Sequence, residues 1–308
     1  MTISQPLVSV VLCTYNGEKF LEQQLDSILT QTYSSLEMII CDDASTDSTQ
    51  QIIKSYALRD KRIQYFFNER NIGVNKNFEQ GFLKASGEFI AIADQDDIWK
   101  PEKIQKQLAL FSSDEIVLVH TGSVIFSGTE LPLHKVFKTG ELLMQGNDFR
   151  KLLLRNTIAG HNIMCKKEIV SYALPLPQSV YYDWWLCETA TCYGSIAASG
   201  EILAYQRWHE SNLTVRNRKG KKQTKKDFIE RYAALKAFLS IRGITDTDLW
   251  FCKALLSKFQ TLEHKRFSLK LFFFLLRNAR VMFFYKKKAL PYFSYLKAAY
   301  YMSFAVKN

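Results

Sequence analysis

The chain has 308 residues, 47% hydrophobic and 23% charged, enough for one large or two modest domains around a real core and unlike a disordered or fibrous protein. Its formal charge of +11 is uneven, because residues 213–308 hold 22 Lys and Arg against 5 Asp and Glu, leaving 19 against 25 in residues 1–212. A mildly acidic body with a strongly basic tail calls for an anionic partner or a solvated helical surface.

In chain order, residues 7–13 (LVSVVLC) form a short β-branched apolar run, the pattern of a buried parallel strand. Residues 18–30 place Phe20, Leu21, Leu25, Ile28 and Leu29 at helical spacing. Strand 36–41 follows, then a helix over 46–56 opened by Ser45 or Thr46. Strand 62–67, helix 75–85 and strand 88–93 repeat the alternation. Pro101 favours a helix start over 101–112, and 115–126 reads as a further strand. Beyond it, 135–146 reads as loop or hairpin, 148–154 and 181–193 as helices, and 196–205 as a strand. Residues 216–226 form a basic linker, and the remainder is helical and rich in Phe, Leu and Lys.

Strands alternating with helices predict an α/β fold with a mostly parallel sheet covered on both faces. Such sheets bind ligands beyond the carboxyl ends of their strands, which singles out the loops at 14–17, 42–45 and 94–99. The first loop offers Tyr15 for stacking on a base and Gly17 for a tight turn. The second offers Asp42 and Asp43 as hydrogen-bond acceptors for a nucleotide or as helix caps. The third, Asp94-Gln95-Asp96-Asp97, crowds three carboxylates that repel one another unless a cation is present. Alternation along a strand directs Asp94 and Asp96 to one side, a clamp for Mg²⁺ or Mn²⁺ on a diphosphate, although solvated aspartates in a turn would read the same way. Neither a dinucleotide-binding glycine fingerprint nor a P-loop is present, which counts against a dehydrogenase or an ATPase.

The segments VSVVLCTYNG (8–17), ICDDASTDST (40–49), NERNIGVNKNF (68–78) and IADQDDIWKPEKI (92–104) together resemble the family 2 glycosyltransferases with the GT-A fold. DQDDIW, YDWWL (182–186) and LAYQRWHESNLT (203–214) resemble the rhamnosyltransferase-type branch of bacterial surface-polysaccharide synthesis. The resemblance covers roughly residues 7–212. It implies a GT-A catalytic domain at 1–215, with a nucleotide-binding half at 1–126 and an acceptor half at 127–215, followed by a basic helical extension at 216–308. It implies donor contacts from Thr14, Tyr15, Asn16, Glu18, Asp43, Asn71, Asp94 and Gln95. Asp96, Asp94 and His209 would hold Mn²⁺ or Mg²⁺, with Arg207 available to phosphate oxygens. Asp97, His161 and Trp184 would line the acceptor side. The implied catalytic base of an inverting transfer is Asp183, the one acidic residue in 169–187; Tyr182 stands where the family often has a first acid. Beside two tryptophans, its carboxyl is expected to titrate high; helix capping is its alternative role.

The implied partners are a nucleotide-diphosphate sugar, rhamnose being one candidate sugar, and a glycan or polyprenyl-linked acceptor. Nucleic acid is not expected. Residues 267–285, interrupted by Lys270, Arg277 and Arg280, suit a helix lying on an anionic membrane better than one spanning it; packing on the catalytic domain is the other reading. The six cysteines include no CxxC pair, and the N-terminus reads as a strand rather than a signal peptide, so a cytoplasmic protein, peripheral on the inner face of the plasma membrane, is expected. A nucleotidyltransferase is the competing enzyme, disfavoured by the lack of a Gly-rich basic loop after the first strand. A non-enzymatic membrane- or nucleic-acid-binding protein acting through the tail is the competing class.

Overall fold

A computed structural model describes residues 5–127, 142–210, 225–286 and 291–304. The expected loop at 135–146 as far as residue 141, the basic linker as far as residue 224 and the end of the 203–214 motif lie outside the described residues.

The first half alternates as its pattern dictates: β1 (Val8–Thr14), α1 (Leu21–Leu29), β2 (Leu36–Asp42), α2 (Thr49–Arg59), β3 (Ile63–Phe67), α3 (Val74–Lys84) and β4 (Phe89–Asp94). A two-residue β5 (Ile98–Trp99), α4 (Lys103–Leu108) and β6 (Ile116–Phe126) follow. The helix α2 begins later than Ser45 or Thr46, because Asn16 Oδ1 accepts from the Thr46 N–H and Asp42 Oδ1 from the Ser45 N–H, holding that stretch in the loop.

Among the described residues the eight strands form one sheet in the order β3-β2-β1-β4-β7-β6-β8-β5, where β7 is Ile163–Lys166 and β8 is Ser195–Arg207. Strands β1 to β4 pair in parallel, β7 runs against both β4 and β6, β8 is parallel to β6, and β5 is antiparallel to β8. Only β7 and β5 therefore reverse the common direction. Alternate residues of a strand feed two different cores, as the period of two requires. Val8, Val10 and Leu12 meet Leu21, Leu25 and Ile28 of α1 on one face. Val11, Ile39 and Cys41 meet Phe78 and Phe82 of α3 on the other.

Between β6 and β8 the chain supplies α5 (Lys167–Ala173) and α6 (Tyr182–Tyr193). The helix expected over 148–154 is reduced to a 3-10 turn at Phe149–Lys151. Leu152, Leu153 and Leu154, which follow it, are all buried in the core.

The C-terminal part comprises α7 (Lys225–Phe238), α8 (Asp246–Gln260), α9 (Leu269–Arg277), α10 (Ala279–Met282) and α11 (Pro291–Met302). It shares one core with the sheet. Phe238 packs on Trp184 of α6 with ring centroids 5.5 Å apart, and Arg231 Nε donates to the Leu154 carbonyl at 3.0 Å. No helix of the described residues is long and apolar enough to cross a membrane.

Candidate active site

The register sets the site. Thr14 aligns with Asp42 across β1–β2, and Cys13 with Asp94 across β1–β4, so three parallel strands end flush and their loops share one rim. At the β2 end the two aspartates divide their work. Asp42 is buried and accepts from Thr14 Oγ1 at 2.8 Å, Ser45 N–H at 2.9 Å and Gln50 Nε2 at 2.9 Å. Asp43 accepts from the N–H groups of Ile72 at 2.8 Å and Gly73 at 2.9 Å, and from Asn68 Nδ2 at 3.0 Å, clamping the loop before α3 to the rim. Gly73 sits at φ +87°, a conformation that a side chain disfavours. Asn16 and Ala44, in the first two loops, also have positive φ, 49° and 60°; Asn tolerates this, whereas at Ala it stores strain beside the rim.

The first loop is braced by the third. Gln95 Oε1 accepts from the Tyr15 N–H at 2.9 Å, and Gln95 Nε2 donates to the Tyr15 carbonyl at 3.1 Å. The Tyr15 ring stays 47% exposed, open for stacking. Glu18 Oε2 accepts from the Ser48 N–H at 2.8 Å, and the exposed Asn71 accepts from the Gly73 N–H at 3.2 Å.

A turn at Gln95 and Asp96 ends the alternation of β4, so Asp94 pairs with Asp97 rather than with Asp96. Asp96 Oδ2 lies 2.6 Å from His209 Nε2. Asp94 and Asp97 each approach His161 Nδ1 at 3.4 Å, while His161 Nε2 meets Ser123 Oγ at 3.0 Å. One ligand atom each from Asp94, Asp97 and His161 lies within 4.8 Å of the others. Asp97 Oδ2 is buried without a hydrogen-bond partner. Burial pushes the Asp97 carboxyl up to about 8 against the pull of His161. Burial disfavours protonated His161, yet the Asp97 and Asp94 carboxylates outweigh it and raise the imidazole. Burial likewise raises Asp96, with Asp94 adding repulsion. These are the shifts of carboxylates packed together where a cation would relieve them. Carboxylates with imidazole also make a chemically suitable donor set for a divalent ion.

Asp183 opens α6 as the sequence pattern suggests. Its Oδ1 accepts the Trp184 N–H at 2.7 Å. Burial lifts its carboxyl to about 6, with the Asp94 charge pushing the same way and His161 opposing, so the group lies within electrostatic reach of the aspartate turn. The structure thus brings Thr14, Tyr15, Asn16, Asp43, Asp94, Gln95, Asp96, Asp97, His161, Asp183 and His209 to the same end of the sheet. Trp184 is placed elsewhere: its ring lies in the core against Phe238, its Nε1 donating to the Leu152 carbonyl at 2.9 Å.

The sequence description of glycosyl transferase family 2 matches residues 9–172, more than half of the chain. The chain belongs to glycosyl transferase family 2. It is 34% identical over 160 residues to TuaG of Bacillus subtilis (strain 168), named for teichuronic acid biosynthesis, a match covering 52% of this chain and 62% of TuaG. It is 30% identical over 225 residues to the uncharacterized glycosyltransferase MJ1057 of Methanocaldococcus jannaschii, over 71% of this chain and 77% of that protein. The match thus spans under two thirds of TuaG. Among solved structures, S. aureus TarS 1-349 in complex with UDP-GlcNAc superposes with a TM-score of 0.63 at 16% identity, over 95% of this chain and 89% of TarS. PcManGT, a mannosyltransferase of Pyrobaculum calidifontis in complex with GDP-Man and Mn²⁺, gives a TM-score of 0.52 at 17% identity, over 97% and 86%. At such identity these two structures establish the shared GT-A fold.

In this family 2 chain, several residues of the matching segments support the rim rather than face a ligand. Arg207 is buried; its Nε donates to the Asp96 carbonyl at 3.0 Å, its N–H donates to Asp97 Oδ1 at 3.1 Å, and its guanidinium lies 4.5 Å from the centroids of both Phe20 and Phe126. Lys103 is fully buried, 4.5 Å from the Trp99 ring centroid and donating to Gln107 at 3.2 Å, and burial brings its ammonium down to about 7. Asn75 donates through Nδ2 to the carbonyls of Pro177 and Val180, both at 2.6 Å, and accepts the Tyr182 N–H at 3.1 Å. It thereby ties α3 to the start of α6, where Asp183 sits. Gly160 admits the Tyr182 hydroxyl against its backbone, where a Cβ would collide. The sequence offered Arg207 to phosphate oxygens, and no spacing rule gives the supporting roles of Arg207, Lys103, Asn75 and Gly160.

Proposed function

We propose that this chain moves a glycosyl group from a nucleotide-diphosphate sugar to a hydroxyl of a glycan or polyprenyl-linked acceptor in cell-surface polysaccharide synthesis, with inversion at the anomeric carbon. One arrangement carries the reading: Asp183 opens α6 next to Tyr182, whose hydroxyl packs on Gly160 just before the His161 that meets Asp94 and Asp97, and burial there lifts the Asp183 carboxyl to about 6. A general base works best when its pKa lies near the operating pH. Asp183 takes the proton of the acceptor hydroxyl, the freed oxygen bonds to the anomeric carbon, and the carbon–oxygen bond to the diphosphate breaks with its electron pair leaving on phosphate. Because attack and departure occupy opposite faces, one displacement inverts the centre.

Membership of family 2 and the name of TuaG support the reaction class and its place in surface polysaccharide synthesis. The nucleotide sugars bound by TarS and PcManGT support the donor class. Thr14, Tyr15, Asn16, Glu18, Asp43, Asn71, Asp94 and Gln95 are assigned to the donor, and Asp97 and His161 to the acceptor side. Asp96, Asp94 and His209 would hold Mn²⁺ or Mg²⁺, with Asp97 and His161 as the neighbouring donor pair. When bound, such an ion supplies neutralisation of charge growing on the leaving diphosphate. Residues 1–215 carry the chemistry in this reading. Six free cysteines support a reducing, cytoplasmic setting.

The test is a panel of nucleotide sugars, dTDP-rhamnose first, followed by thermal shift with and without manganese, since a ligand that binds only the folded state raises its melting temperature. The anomeric configuration of the product is then read by NMR. No donor-dependent shift across the panel, or retention at the anomeric centre, overturns the reading.

A further inference from the structure

Residues 264–308 contain ten Lys and Arg and no Asp or Glu. The helices α9 and α11 give this charge a face. On α9 and its flanks, Arg266, Leu269, Lys270, Phe273, Arg277 and Arg280 are exposed, recurring every three or four residues as one side of a helix must. Leu271, Leu275, Ala279 and Met282 are buried in the core behind them. On α11, Tyr292, Phe293, Leu296, Lys297, Tyr300 and Tyr301 are exposed, while Ser294, Ala298 and Ala299 are buried. Phe273 and Phe293 are 61% and 70% exposed.

The two stripes are one surface. At one end the Arg280 guanidinium donates to the Tyr292 hydroxyl and lies 5.7 Å from that ring's centroid. At the other, the Phe267 ring packs 5.8 Å from Tyr300, and the Ser268 N–H donates to the Ser303 carbonyl at 2.9 Å. The helices therefore run antiparallel, with their exposed sides adjoining. The inner sides already pack on the protein, Phe274 meeting Phe251 of α8 at 5.1 Å, so the helices do not need this outer face to bury themselves.

We propose that the α9–α11 face docks on an anionic lipid bilayer, its Phe, Leu and Tyr side chains entering the head-group boundary and its Lys and Arg side chains pairing with lipid phosphates. Both halves of the surface are needed for that partner. Aromatic and aliphatic groups bury in the interfacial layer, and flanking cations are drawn to its negative potential. A second copy of the chain fits poorly, since it would set cations against cations with no carboxylate to pair them. A nucleic acid would leave Leu269, Phe273, Phe293 and Leu296 without a matching apolar partner. The proposal adds a location to the transferase reading and is tested without donor or acceptor.

The full chain is sedimented with vesicles of phosphatidylcholine alone and of phosphatidylcholine mixed with phosphatidylglycerol. Binding is expected to the anionic vesicles only, and weaker as salt screens the charges. Lys270→Gln and Arg277→Gln should each lower the apparent affinity about fivefold. The double variant Phe273→Ser with Phe293→Ser should release the protein from anionic vesicles. Its exposed positions leave the fold intact, which an unchanged melting temperature verifies. Lys61→Gln, in the turn between α2 and β3, should change nothing. Equal binding to both vesicle types, binding to neither, dimerisation in solution that Phe273→Ser dissolves, or tighter binding to a nucleic acid than to the vesicles would each overturn the proposal.

Discussion

The two charged regions hold their charge in opposite states. At the rim of the sheet, Asp42, Asp43 and Asp97 are buried, and the carboxyls of Asp96, Asp97 and Asp183 are pushed upward, mainly by burial. On α9, its flank and α11, Arg266, Lys270, Arg277 and Lys297 face water. A buried carboxylate interacts strongly over a few ångströms and in a fixed direction, which suits it to chemistry. An exposed cation interacts weakly and over about one Debye length, roughly 8 Å at physiological ionic strength, so it serves attraction to an extended surface. Substitutions at the rim should therefore change rates, and substitutions on the basic face should change location.

The sharpest way to break this contrast is Asp183→Asn. If Asp183 is the base, transfer falls by about 10²–10⁴-fold while the donor-induced rise in melting temperature persists. Ordinary turnover in that variant would remove the assignment. Next in size are the metal candidates. Asp96→Ala should abolish the manganese-dependent thermal shift, and His161→Ala should weaken manganese binding by about 10–100-fold by loosening Asp94 and Asp97. If both variants keep the full shift, no ion is held there. A third measurement is the pH profile. Asp183 titrates at about 6, and the base form exists above that value. Transfer should fall about tenfold per pH unit below it, and a flat profile between pH 4 and 7, set as roughly two units below and one above, would point to a different base.

How far the sequence foretold all this follows the same division. Strands β1, β2 and β4 were legible because a buried parallel strand leaves a largely apolar run, and because helical spacing returns between them at Leu21–Leu25–Ile28 and at Phe78–Phe82; β3, at the edge of the sheet, showed only a short run with Gln64 and Tyr65 exposed. The position of the aspartates at the rim was legible because they directly follow apolar runs, but their use was not: Asp42 and Asp43 brace the neighbouring loops, a role that read equally well. Nor was the pairing of Asp94, Asp96 and Asp97 legible. Alternation along an extended strand would put Asp94 beside Asp96, but the turn at Gln95 and Asp96 sets Asp94 beside Asp97 and His161, and leaves Asp96 to His209. Two short elements, β5 and β7, also escaped, since two and four residues are too few to establish a period. Trp184 read equally as a surface for sugars and as core, and the helix turns it toward Phe238. The deciding contact came from residues more than fifty positions away, beyond the reach of any local pattern.

The smallest predicted effect tests whether the long-range supports serve the rim. Asn75→Ala removes the bonds to Pro177, Val180 and Tyr182 that fasten the opening of α6. Leaving buried carbonyls unpaired costs about 1–3 kcal/mol each, which for a chain of this size lowers the melting temperature on the order of 5 °C. The stacking of Phe78 on Tyr182, at 3.9 Å between centroids, stays in place and keeps α6 docked. A positioning role for Asn75 predicts that the maximal rate drops further than lost stability explains, measured well below the melting temperature, while donor affinity is unchanged, because most of the residues proposed to hold the donor sit on the loops after β1, β2 and β4. A variant that melts earlier yet turns over normally would show that Asn75 holds the fold together without aiming Asp183.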